Sequence, residues 1–156
     1  MEARLNFFEN PIAPKLIKYI NSAGKVVTES TLPRTTQELV KIRASQINGC
    51  GYCLDMHTKD AAAAGETQQR LNLVAAWRDA TVFSEAEKVA LEVAEEGTRL
   101  ADSGGVSDDV WARAAKHYDE EQLGSLVAII ALINFYNRLN VIAQLPAGDY
   151  EPGQWE

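Results

Sequence analysis

The segment Cys50-Gly51-Tyr52-Cys53-Leu54-Asp55-Met56-His57 holds both cysteines of the chain and one of its two histidines, the other being His117. A C-x-x-C spacing lets two thiols close a disulfide at the start of a helix. Helix N-termini carry unpaired N–H groups and partial positive charge, which favour thiolate over thiol. Gly49 and Gly51 make the preceding turn easy and are expected to leave the sulfurs accessible. His57 stands at i+4 from Cys53, one turn along the same face. From there it can take the thiol proton or hold the thiolate by a charge-assisted hydrogen bond. It is about 10.5 Å along the helix axis from Cys50, too far for direct contact. Spacing therefore nominates Cys53 as the attacking thiolate and Cys50 as the resolving one.

Three other readings fit the same residues. C-x-x-C-x-x-x-H supplies three zinc ligands and His117 a possible fourth, although structural zinc sites usually draw on loops and knuckles. A thioredoxin-type oxidoreductase would place its C-x-x-C after a strand, whereas the segment before Cys50 reads as helical, so that fold fits poorly. Two buried, inert cysteines are the third, since a free Cys is often a small core residue. Glu38 shows nothing on local grounds, because a glutamate in the first turns of a helix is usually a solvated charge. His117 reads as a helix end.

The elements that must position these residues are helical throughout. Pro14 suits the first turn of a helix carrying Leu16, Ile17 and Ile20. Pro33 opens a second, with Leu39, Val40, Ile42 and Ile47. A third runs from near Cys50 through Ala61–Ala64 to Gly65, a residue able to take the positive φ that ends a helix. Leu71, Val74 and Trp77 mark a fourth. Ser84 and Glu87 form a capping box ahead of Val89, Ala90, Leu91 and Val93. Ser103-Gly104-Gly105 is expected to end that helix and Ser107 to begin the next. Asp119 caps the longest and most apolar helix, running to about Leu145, and its apolar circumference suits a core position or a subunit contact. No stretch alternates with period two for long enough to be a strand. The expected fold is all-α, one domain over residues 1–156 with about six or seven helices.

Composition narrows the partners. A length of 156 residues suits one domain and a full core without staples. With 15 Lys+Arg against 22 Asp+Glu the net charge is −7, which argues against a nucleic-acid grip and a polybasic membrane surface. The N-terminal segment lacks the apolar run of a signal peptide, and the longest unbroken apolar stretch, Leu126 to Ile133, is far shorter than a bilayer span. A cytoplasmic chain without nucleic-acid or membrane partners is the expectation. No glycine-rich phosphate loop is present, and the chemistry of a thiol pair needs neither metal nor nucleotide cofactor.

Glu38, eleven residues, Cys50-Gly51-Tyr52-Cys53, three residues and His57 together resemble the core motif of the AhpD-like alkylhydroperoxidases, within the carboxymuconolactone decarboxylase family. Ser45 and Asn48 match its Ser-x-x-Asn-x-Cys pattern, and the run from Ile133 to Asn140 is similar to a second family feature. The resemblance implies an all-α homo-oligomer, trimer or hexamer, reducing organic hydroperoxides through its own cysteines with an external dithiol as reductant. It also implies Cys53 as peroxidatic, Cys50 as resolving, and a proton relay in which Glu38 acts on His57 through a water. Tyr52 departs from the pattern, since the best-studied members carry a histidine between the cysteines. The lactone decarboxylases lack the C-x-x-C, so its presence implies the redox branch. A helical oligomer that binds a ligand or senses redox state without turnover is the alternative.

Overall fold

The computed structural model describes residues 2–154; the outermost residues of the expected 1–156 domain lie outside the described residues. Eight α-helices follow one another: α1 Ala13–Thr28, α2 Arg34–Asn48, α3 Gly51–Ala63, α4 Gln68–Leu73, α5 Glu85–Thr98, α6 Leu100–Ser103, α7 Asp108–Ala114 and α8 Glu120–Ala143. Two 3-10 turns, Phe7–Glu9 and Val74–Ala76, complete them, and no strand occurs among the described residues. The fold is all-α, as expected.

The helix ends follow local chemistry. Pro14 lies in the first turn of α1, and Pro33 stands immediately before α2. Ser84 Oγ accepts from Glu87 N while Glu87 Oε2 accepts from Ser84 N, and Asp119 and Gln122 form the same reciprocal pair at α8. Two boundaries differ from expectation. The helix expected to run on to Ser103 breaks at Arg99 (φ −94°, ψ 38°), so α6 is a separate single turn ended by Gly104. That extra turn brings the α-helices to eight, and the Leu71–Trp77 segment is α4 followed by a tighter 3-10 turn.

Helix α2 is the hub, packing against α3, α5 and α8. Leu39, Val40, Ile42 and Ala44 are fully buried along it. Helix α5 buries Val89, Ala90, Leu91, Val93 and Ala94 on its inner face. By length and composition α8 could cross a membrane, yet Leu126, Ile129, Ile130, Ile133, Asn134, Asn137 and Asn140 form a buried stripe against the other helices. The opposite face leaves Val127, Val141 and Ile142 exposed. After α8 the chain doubles back over α3: Gly148 N and Tyr150 N donate to Asp55 Oδ2, Lys59 Nζ donates to the Gly148 and Tyr150 carbonyls, and the Tyr150 hydroxyl meets Asp60.

Candidate active site

Cys50 begins α3 and Gly49 makes its position possible. Gly49 takes φ +67°, and the N–H groups of Gly49 and Cys50 turn back onto the Ser45 carbonyl at the end of α2. A side chain with a Cβ is strained in that conformation. Cys50 and Cys53 are joined in a disulfide. Cys50 Sγ also accepts a hydrogen bond from Cys53 N at 3.3 Å, so this sulfur caps the positive end of the helix. The pair is sealed. Cys50 is 1% and Cys53 0% exposed, in a cluster with Ala44 and Ile133 against which Tyr52 packs. The accessibility expected from the flanking glycines is therefore corrected: they permit the turn, while side chains from α2, α3 and α8 cover the sulfurs.

His57, one turn beyond Cys53, is buried, and its Nδ1 lies 3.1 Å from Glu38 Oε2. The contact is direct, not through a water, because α2 and α3 pack side by side. Glu38 is not the solvated charge that its place early in a helix suggests. Its other oxygen accepts from Lys41 Nζ at 2.8 Å, and its side chain is only 13% exposed. Burial acts to raise its pKa, but hydrogen bonds and charge from His57 and Lys41 outweigh it, holding the carboxyl at about 2. Glu38 thus remains an anion beside the imidazole, suited to orienting the ring and stabilising its protonated form. It also lines an open groove of about 730 Å³ with Arg34, Asp60, Arg70 and Glu87, a groove that reaches neither cysteine.

His117 lies in a separate shallow groove with Thr36, Tyr118 and Gln122. Both sulfurs that a zinc site would need are engaged with each other. Among the described residues no three His, Cys, Asp or Glu side chains converge on a point that could hold a metal ion.

Ser45 and Asn48 acquire a physical role. Asn48 Nδ2 donates to Asn134 Oδ1 and Asn137 Oδ1, both at 2.9 Å, and Asn137 Nδ2 donates to Ser45 Oγ at 3.0 Å. The end of α2 is thereby fastened to α8 immediately before Cys50. The two stretches that carry the family resemblance, residues 38–57 and 133–140, are in contact with each other.

A sequence model described as the Carboxymuconolactone decarboxylase family matches residues 14–96, the span that holds Glu38, Cys50, Cys53 and His57. The chain belongs to this family. It is 45% identical over 141 residues to uncharacterized protein YdfG of Bacillus subtilis (strain 168), covering 90% of this chain and 94% of that one. Over 70 residues it is 40% identical to alkyl hydroperoxide reductase AhpD of Methylocella silvestris, covering 45% of this chain and 38% of that one. A crystal structure of an Agrobacterium tumefaciens protein of unknown function, suggested to be an antioxidant defence protein AhpD, superposes with a TM-score of 0.88 at 30% identity, covering 96% of this chain and all of that one. The debrominase Bmp8 shares the fold, with a TM-score of 0.79 at 20% identity over 87% of this chain and 72% of its own.

Spacing along the sequence missed two site residues. Lys41, at i+3 from Glu38, neutralises one carboxylate oxygen. Asn140 places its Nδ2 3.3 Å from Cys53 Sγ. The available signal was the series Asn134, Asn137, Asn140, polar residues at helical spacing within an otherwise apolar helix.

Proposed function

We propose that this protein is a thiol-dependent peroxidase that reduces organic hydroperoxides through the Cys50–Cys53 pair. The observation that carries the reading is that pair closed as a disulfide at the start of α3, with His57 Nδ1 in hydrogen-bonding contact with Glu38 Oε2 one turn further on. In the reduced protein Cys53 thiolate attacks the O–O bond, forming an S–O bond and expelling an alkoxide, which takes a proton through His57 and leaves as the alcohol. Cys53 is then a sulfenic acid. Cys50 thiolate attacks that sulfur, the S–O bond breaks, and the oxygen leaves as water. An external dithiol reduces the resulting disulfide by exchange and is itself oxidised to a disulfide. Glu38 orients His57 and stabilises its cationic form.

The sealed sulfurs favour a second reading, a redox switch that oxidises once without catalytic turnover. Multiple-turnover assays separate the two. With cumene hydroperoxide and excess dithiothreitol, a peroxidase consumes many equivalents of hydroperoxide per chain. A switch consumes one and stops, and that outcome overturns the enzymatic reading. A homo-oligomer belongs to the proposal too, supported by the exposed Ile12 just before α1, Tyr19 and Val26 along it, and Val127, Val141 and Ile142 on α8. A monomer by light scattering contradicts it.

A further inference from the structure

We infer that Asn140 is a catalytic residue of this site, its side-chain amide donating a hydrogen bond to Cys53 Sγ that stabilises the Cys53 thiolate. The inference rests on the peroxidase reading and adds a residue from α8 to it. Asn140 Nδ2 stands 3.3 Å from Cys53 Sγ, with Asn140 7% and Cys53 0% exposed. A sulfur sealed from water loses the solvation that favours its anion, so its pKa rises unless a donor or a positive charge faces it.

The helix terminus does not meet that need for Cys53. The N–H donor at the start of α3 points at Cys50 Sγ, so the local field favours the resolving sulfur. Asn140 supplies the donor on the other side. An amide N–H does not titrate near neutral pH, and this donor therefore persists whatever the protonation state of His57.

Asn140 is held in place. Its carbonyl accepts from Leu145 N at 3.0 Å in the turn that ends α8, and Asn137 one turn earlier is fastened to Ser45 and Asn48. The donor also assists reduction of the disulfide by attack at Cys50. When a dithiol thiolate attacks Cys50, a bond forms between those two sulfurs, the Cys50–Cys53 bond breaks, and its electron pair stays on Cys53, where the Asn140 amide stabilises it. The second thiol of the dithiol then displaces Cys50. A better-stabilised leaving thiolate leaves faster.

The test uses the Cys50→Ser chain, in which Cys53 is the sole thiol, and follows iodoacetamide alkylation against pH. Asn140→Leu keeps the volume and removes the donor; Asn140→Asp keeps the shape and faces the sulfur with negative charge. The expected midpoint rises by about one unit for Leu, cutting the thiolate fraction below the midpoint roughly tenfold, and by more for Asp. Coincident midpoints overturn the inference, as does an equal rise in both variants, which is what simple loosening of α8 produces. A second readout needs no substitution at Asn140: its side-chain amide resonances follow the Cys53 titration if the hydrogen bond exists and stay flat if it does not. Neither readout involves hydroperoxide. Ordered midpoints without peroxide turnover support the role of Asn140 and end the peroxidase reading; coincident midpoints with turnover intact do the reverse.

Discussion

Replacing Glu38 by Gln should change how stability depends on pH, by an amount that follows from the site. Glu38 titrates at about 2 in the folded chain against a usual value of 4.5, because His57 and Lys41 outweigh the effect of burial. That difference of about 2.5 units corresponds to about 3 kcal/mol. The sign is that of a depressed acid. The stabilisation is present in full above pH 4.5, is lost as pH falls toward 2, and is absent below both values. With its side chain 13% exposed, Glu38 is little screened by salt. Urea unfolding of wild type and Glu38→Gln at successive pH values, followed by the fluorescence of buried Trp77, gives the comparison. The gap in stability between the two should narrow by about 3 kcal/mol between pH 4.5 and pH 2. A gap that stays constant across that range refutes the reasoning, because Glu38 would then have the same affinity for protons folded and unfolded.

Two further perturbations test the frame around the site. Glu95 is buried and accepts from Arg43, Arg78 and Trp77 Nε1, so Glu95→Ala should cost about 3 kcal/mol in urea unfolding by stranding the largely buried Arg43 guanidinium; a loss under about 1 kcal/mol contradicts this. Tyr150→Phe removes the hydroxyl that meets Asp60, and amide exchange at Gly148, Tyr150 and Gly153 should quicken while the core helices keep their protection. Unchanged exchange at those three amides would mean that Asp55, Lys59 and Asp60 hold the segment without the hydroxyl.

Much of the frame can be read in the sequence because helix ends are local. Ser84 with Glu87, Asp119 with Gln122, and Gly65 each act within a turn of themselves, and each stands where its chemistry requires. The break at Arg99 was not legible, since Gly97 just before it lies inside α5 and neither Gly nor Pro stands at the break itself; the chain bends there between Thr98, buried against Asn134, and the exposed Leu100. The site divides the same way. Cys50, Cys53 and His57 lie on one helix, so their spacing is their geometry. Glu38 meets His57 across two helices, and only the family motif pointed to it. Asn140 approaches Cys53 from the far end of the chain, a proximity that periodicity cannot express. Burial of the sulfurs was also hidden, because the side chains that cover them come from α2, α3 and α8 together.

The claim on which the account turns is that Cys53 is the sulfur that attacks the hydroperoxide. Trapping with dimedone tests it directly. Reduced Cys50→Ser and Cys53→Ser proteins are each treated with one equivalent of cumene hydroperoxide, and the adduct is located by mass spectrometry. The account expects a sulfenic acid adduct on Cys53 in the Cys50→Ser protein and none in the Cys53→Ser protein. An adduct on Cys50 in the Cys53→Ser protein, with Cys53 unlabelled in the other, would contradict it.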